Sequence, residues 1–243
     1  MKWPQVVGHR GAAESAPENT LESFREAKKQ GADWVEFDAK LTADNKIILL
    51  HDDDLDRTTN GKGPAQALTL EGYRKLDAGS WFGAKWRGVN VPTLEEAVTL
   101  FSEIDLRCNL EIKPCPGRDR ETGTAIMAEL RRIWPKDREL PLISSFSLES
   151  LQAAQAAAPE FPRGVLLDAH PANWRALAES VEAVSVNCWE RDMTPNWAQE
   201  IKSAGYGLLV YTVNDPDQAK ELMGWGVDGV FTDAPGRLLA ALG

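Results

Sequence analysis

Residues 33–51 read "DWVEFDAKLTADNKIILLH", and the reading of this stretch decides the fold. In "DWVEFDAKL" (33–41), apolar Val35, Phe37, Ala39 and Leu41 alternate with polar Glu36, Asp38 and Lys40, which is strand periodicity. "KIILLH" (46–51) is a second apolar run only a short turn away. Read as a return strand beside 33–41, it leaves the rest of the chain as eight βα units. The other strand candidates are "QVVGH" (5–9), "CNLEIK" (108–113), "LPLISSF" (140–146), "RGVLLD" (163–168), "AVSVN" (183–187), "GLLVYTV" (207–213) and "GVFTD" (229–233). Several are apolar on both faces, as parallel strands covered by helices are.

Helix signals fall between these runs. Asn19 with Glu22 resembles a capping box ahead of Leu21, Phe24 and Ala27, and Gly31 closes that helix. Thr93 with Glu96 fits the same box. Thr194-Pro195 and Asp215-Pro216 each place a cap before a proline at the first helical position. "SLESLQAAQAAAP" ends at Pro159, and "AKELMGWG" ends at Gly226. The 243 residues match the usual size of a (β/α)8 TIM barrel. An open doubly wound sheet is disfavoured, because its glycine pattern is missing. Residues 52–92 are too long for a structureless βα loop. The expectation is therefore an α/β chain, one TIM-barrel domain over 1–243, with a small insertion after the second strand at about 52–92.

Composition narrows the function. A formal net charge of −10 argues against nucleic acid as a partner, since such binding leaves a basic footprint. No apolar run is long enough to span a membrane. No signal peptide is read in "MKWPQVVGHRG", and no basic amphipathic helix suggests stable membrane association. Cys108, Cys115 and Cys188 lack any paired or zinc-like spacing, so they read as free thiols in a reducing cytoplasm.

The polar residues at the strand ends carry the chemistry. The first strand offers His9 and Arg10, between Gly8 and Gly11. The second offers Glu36 and Asp38 on one face, and the return strand offers His51. The next strand offers Glu111 and Lys113, again on one face. Three carboxylates in a strand-bounded centre call for a neutralising divalent cation, and oxygen ligands favour Mg²⁺ or Ca²⁺. Arg10 and Lys113 beside them describe a phosphate site. His9 and His51 read as an acid–base pair. Each piece alone has a plain structural explanation. Their recurrence at successive strand ends, where sites of this fold sit, favours the functional one.

The ordered set "HRG", "PENT", "EFD", "HDDDLDRTTNG", "LEIKP", "YTVN" and "GVDGVFTDAP" resembles the glycerophosphodiester phosphodiesterase family, from residue 6 to about 235. "DAGSWFG", "FDAKL" and the short N-terminus resemble most its bacterial cytosolic branch linked to glycerol-3-phosphate uptake. Asn45 stands where the family often has glycine, and Asn tolerates left-handed backbone. The resemblance implies metal ligation by Glu36, Asp38 and Glu111, general acid and base roles for His9 and His51, and phosphate binding by Arg10 and Lys113. It implies a glycerophosphodiester as the small-molecule substrate, with sn-glycerol 3-phosphate and an alcohol as products, in the cytoplasm. Monomer and homodimer both remain open.

Trp81 and Phe82 in the insertion, and Tyr211 on the seventh barrel strand, are candidates for the substrate pocket. Asn187 and Trp189 are placed near the barrel mouth. Asn214 and Asp233 fit the mouth and helix caps equally well. His170 reads as a surface or capping residue, and "DDDLDR" as a solvated run or a brace for the insertion. A phospholipase-like relative, a nuclease and a non-catalytic phosphodiester-binding protein are the competing functions. The last is disfavoured because binding alone needs no acid–base pair.

Overall fold

A computed structural model describes residues 2–243 of the chain. The strands are β1 (Val6–Gly8), β2 (Trp34–Leu41), β3 (Ile47–Leu49), β4 (Arg107–Ile112), β5 (Leu142–Ser145), β6 (Arg163–Leu167), β7 (Ser185–Trp189), β8 (Gly207–Tyr211) and β9 (Gly229–Thr232). The helices are α1 (Leu21–Lys29), α2 (Leu70–Tyr73), α3 (Leu94–Glu103), α4 (Asp119–Ile133), α5 (Leu148–Ala157), α6 (Trp174–Ser180), α7 (Pro195–Ser203), α8 (Pro216–Gly224) and α9 (Pro235–Leu242). All strands but β3 run parallel. β1 pairs with both β9 and β2, which closes the sheet into an eight-stranded (β/α)8 TIM barrel. β3 returns antiparallel along the far half of β2, with Lys40 opposite Ile48.

The alternation along β2 sets the layers. Val35, Phe37, Ala39 and Leu41 face outward into a core shared with α1, α3 and α4. Phe24, Phe37 and Phe101 meet there with ring centroids 5.1–5.8 Å apart. The opposite face of β2 carries Trp34, Glu36, Asp38 and Lys40. Trp34 packs inside the barrel with Val7, Leu142, Leu209 and Phe231. Glu36 and Asp38 follow toward the C-terminal ends of the strands, where β4 sets Asp38 opposite Glu111. A one-residue slip would exchange the apolar and acidic faces, so burial fixes the register.

Caps follow the sequence at most helix starts. Thr93 and Glu96 form the reciprocal box on α3, and Thr194 and Asp215 cap α7 and α8 ahead of prolines. Helix α1 differs. Its cap is Thr20, whose hydroxyl accepts from the Ser23 amide. Asn19 sits at φ +56° and sends its side chain elsewhere.

The insertion has its own core of Leu55, Ala65, Tyr73, Ala78 and Val91, which reaches back to Ile48 and Leu50 on and after β3. Tyr73 donates its hydroxyl to the Ala65 carbonyl at 2.8 Å. The return strand thus anchors the insertion beside the barrel mouth. No helix among the described residues is long and apolar enough to cross a membrane. The three cysteines are buried and unpaired with one another.

Candidate active site

The loop after β1 is built on two glycines. A Cβ at Gly8 would lie 2.3 Å from the Gly11 carbonyl oxygen, and Gly11 takes φ +95° against Ser23. This tight turn places Arg10 at φ +50°. Its amide donates to Glu36 Oε2 at 3.0 Å and its Nη1 to Glu18 Oε1 at 2.7 Å. Its Nε lies 3.3 Å from Asp38 Oδ2. Burial opposes the charge on this guanidinium, yet Asp38, Glu18 and Glu36 hold its pKa above the ordinary value.

Glu36, Asp38 and Glu111 are buried and offer ligand oxygens within 4.8 Å of one another. They do not share one electrostatic state. Burial works against the Asp38 charge, but Arg10, His51 and Lys113, with a hydrogen bond from Asn19, hold its pKa below the ordinary range. Glu36 is raised by burial and by Asp38 and Glu111. Glu111 is pushed up to about 7, by burial and then by Asp38, despite Lys113 2.9 Å away. Glu36 Oε1 and Asp38 Oδ1 are buried with no hydrogen-bond partner among the described residues. Buried acceptors are rarely left so, and a hard cation satisfies such oxygens. The donor set therefore fits a divalent metal.

The two histidines are held alike. His9 Nδ1 lies 2.7 Å from Asp233 Oδ1, and His51 Nδ1 lies 2.8 Å from Asp52 Oδ1. Both aspartates have lowered pKa values, so they accept and each Nδ1 carries the proton. Both Nε2 atoms are left for chemistry, and that of His9 is 3.9 Å from Glu36 Oε2. Behind Asp233 stands Asn214, whose amide donates to it at 2.8 Å. Behind Asp52 stands Arg57. Burial lowers the pKa of His51 despite the nearby Asp38 charge.

His9, Arg10, Glu36, His51, Glu111, Lys113 and Tyr211 line one cleft of about 140 Å³ at the barrel mouth. Two wider troughs flank it. One, of about 540 Å³, runs past His51, Asp52, Lys113 and Phe146. The other, of about 400 Å³, runs past His9, Arg10, Trp81 and Phe82. Trp81 is fixed by donating Nε1 to the Ala78 carbonyl. The Tyr211 hydroxyl is turned away to the Leu167 carbonyl at 2.7 Å, so only its ring addresses the cleft.

Several residues depart from their sequence reading. Asn19 is no cap: its side chain donates to Asp38 Oδ2 at 2.8 Å and accepts from the Asp38 amide. Of the two readings for Asp233 and Asn214 the structure takes the mouth, where both line the trough beside His9, and not the caps, since α8 is capped by Asp215 and α9 lacks a side-chain cap. Of the two readings for "DDDLDR" the structure takes the brace, since Asp53 holds the buried Lys40 of β2, and beyond that reading Asp52 holds His51 and Arg57 holds Asp52. Phe146 had no role in the sequence reading. It stands just past the end of β5 and lines the cleft with Ser144, so the parity of inward-facing Leu142 and Ser144 carried one step beyond the strand finds it. His170 is surface-exposed as expected, stacked on Trp197 at 4.1 Å. Asn187 is fully buried within β7 beside Ser185.

Two imidazoles and two cations facing a carboxylate cluster, at the C-terminal ends of parallel strands, have the make-up of a barrel enzyme's site for a phosphate ester. Comparison with known proteins narrows the class. Residues 9–237 match the model of the glycerophosphoryl diester phosphodiesterase family, and the chain belongs to that family. It is 34% identical over 238 residues to a glycerophosphodiester phosphodiesterase of Caldanaerobacter subterraneus subsp. tengcongensis, covering 96% of each chain. It is 35% identical to one from Bacillus subtilis, covering 95% of this chain and 83% of that one. Among solved structures, a phosphodiesterase of Oleispira antarctica in complex with the product sn-glycerol-3-phosphate superposes with a TM-score of 0.96. It is 38% identical, and the match covers 99% of this chain and 97% of that one.

Proposed function

We propose that this chain hydrolyses glycerophosphodiesters, such as glycerophosphocholine and glycerophosphoethanolamine, to sn-glycerol 3-phosphate and an alcohol. The observation that carries the reading is the pair of imidazoles, each backed by an aspartate at Nδ1, on either side of one carboxylate cluster. A mere binding site would not need both.

Glu36, Asp38 and Glu111 would hold one divalent cation, Mg²⁺ or Ca²⁺. Bound there, the cation supplies Lewis-acid stabilisation of charge on the phosphate oxygens. Arg10 and Lys113 bind the non-bridging oxygens and offset the charge that builds in the pentavalent transition state. One histidine accepts a proton at Nε2 from the attacking hydroxyl, of water or of the glycerol itself; in the second case a cyclic phosphate forms, and water then opens it to sn-glycerol 3-phosphate. The other, doubly protonated as an imidazolium, delivers its Nε2 proton to the departing alcohol. Asp52 and Asp233 hold a proton on Nδ1 of each ring, so that Nε2 is the nitrogen that takes up or gives up the proton. Trp81, Phe82 and the ring of Tyr211 contact the organic parts of the diester. The domain is read as one barrel over 1–243, acting in the cytoplasm on a small soluble substrate.

The test is product analysis by ³¹P NMR with both diesters, comparing wild type, His9→Ala and His51→Ala. Each variant is expected to lose about 10²- to 10⁴-fold in kcat. Wild-type turnover in either folded variant would remove that histidine from the mechanism.

A further inference from the structure

Arg57 lies outside the reaction centre, on the insertion, yet its guanidinium is gripped by two carboxylates from different parts of the chain. Its Nε donates to Asp52 Oδ2 at 2.7 Å and its Nη2 to Asp52 Oδ1 at 2.9 Å. On its other edge, Nη1 donates to Glu18 Oε2 at 2.6 Å and Nη2 to Glu18 Oε1 at 2.8 Å. Glu18 comes from the loop after β1 and also accepts from Arg10. Asp52 also accepts from His51. A continuous run of charge-assisted bonds thus joins Arg10 to His51 across the barrel mouth, with Arg57 at its middle.

We propose that Arg57 is a positioning residue for the reaction, clamping Asp52 and Glu18 so that His51 and Arg10 are held together in their working orientations. The proposal rests on the acid–base reading of His51 given above. The planar fork of arginine meets two carboxylates in bidentate fashion, a geometry an ammonium cannot reproduce. The Asp52 carboxylate has a rotatable side chain, and the fork holds both of its oxygens. Without the fork, Asp52 turns toward water and the His51 ring loses its fixed tautomer. Glu18, mostly buried, then keeps only Arg10 as its cation and draws that guanidinium off the phosphate. The same clamp ties the insertion to the β1 loop, so it also explains why a unit outside the barrel carries a charged residue to its mouth.

The test measures kcat and KM on glycerophosphocholine for wild type, Arg57→Ala, Arg57→Lys and His51→Ala, and for the double variant Arg57→Ala/His51→Ala. Thermal melts establish that each variant is folded. Arg57→Ala is expected to lower kcat about 10- to 100-fold, the usual effect of an outer-shell partner. Arg57→Lys recovers only a small part, because charge returns without the fork. Added guanidinium ion, at concentrations too low to denature, restores activity to Arg57→Ala and leaves wild type unchanged. In the His51→Ala background the Arg57 change costs less than in wild type, because the share carried through Asp52 is already gone and only the share through Glu18 and Arg10 remains. A folded Arg57→Ala with kcat within twofold of wild type overturns the clamp. So does a loss that guanidinium does not restore and that persists in full beside His51→Ala. If His51→Ala itself turns over like wild type, the acid–base reading fails instead, and the two failures are distinguished.

Discussion

Glu36 and Asp38 lie two residues apart on one face of β2, and their carboxyl groups are driven in opposite directions. Asp38 is held ionised by Arg10, His51 and Lys113. Glu36 bears the repulsion of its two neighbours. Removing one charge should therefore help the metal-free fold and removing the other should harm it. Glu36→Gln is expected to stabilise the metal-free protein at pH 8 by ~1 kcal/mol, by relieving like charge. Asp38→Asn is expected to destabilise it by ~3 kcal/mol, by leaving Arg10 underpaired in a buried site. Melting curves in EDTA give both signs, and both variants should lose metal affinity.

The same cluster predicts how stability depends on pH. Folding raises the Glu111 carboxyl from an ordinary 4.5 to about 7. Over that window the folded state holds a proton that the unfolded state has released. Stability present below about 4.5 is therefore lost as pH rises through about 7. Asp38, Asp52 and Glu18 are lowered and act only at more acid pH. Glu36 is raised as well and works in the same sense as Glu111, whereas His51, lowered by burial, works in the opposite sense within the window. The readout is thus the comparison with Glu111→Gln. Between pH 5 and pH 8 the metal-free wild type should lose ~2 kcal/mol relative to that variant. Saturating Mg²⁺ or Ca²⁺ should erase the difference for wild type.

Asn19 and Thr20 are adjacent but serve different ends. Thr20→Ala removes the α1 cap and should cost ~1 kcal/mol of stability while leaving metal affinity unchanged. Asn19→Ala removes two hydrogen bonds to Asp38, from its carboxylate and its backbone amide. It should weaken metal binding about 10-fold. Denaturation melts and a metal titration on the two variants separate the roles.

The two troughs would give the proposed diester substrate a place for each arm. Trp81 stands over one and Phe146 over the other, and both are exposed. The aromatic beside the departing alcohol should discriminate a cationic headgroup from a neutral one. Contact with the ring face is worth ~1 kcal/mol, or about fivefold. Trp81→Ala and Phe146→Ala are compared on glycerophosphocholine and glycerophosphoglycerol. One is expected to raise KM for the choline diester selectively, and the other to raise both. Equal effects of both variants on both substrates would reject separate arms.

Much of this was legible in the chain because strand periodicity fixes facing. Once 46–51 is read as a return strand, Glu36, Asp38, Glu111 and Lys113 must point into the barrel, and His9 and His51 must stand at strand ends. The supporting residues were harder to see. Asn19, Asp233 and Asn214 sit where polar residues ordinarily cap helices, and a cap and a hydrogen-bonded support have the same local sequence. Only the tertiary position of Asp38 and His9 tells them apart. Glu18 and Arg57 meet across 39 residues, a pairing no local pattern encodes. The placement of Trp81 beside His9 and Arg10 likewise depends on how the insertion folds back.

The central claim is that the carboxylate cluster and the histidine pair together hydrolyse a glycerophosphodiester with the help of a divalent cation. The most direct measurement is release of sn-glycerol 3-phosphate from glycerophosphocholine in EDTA, and again after Mg²⁺ or Ca²⁺ is restored. Release that vanishes in EDTA and returns with the metal is the predicted result. Full release in EDTA, from protein freed of bound metal, would contradict it.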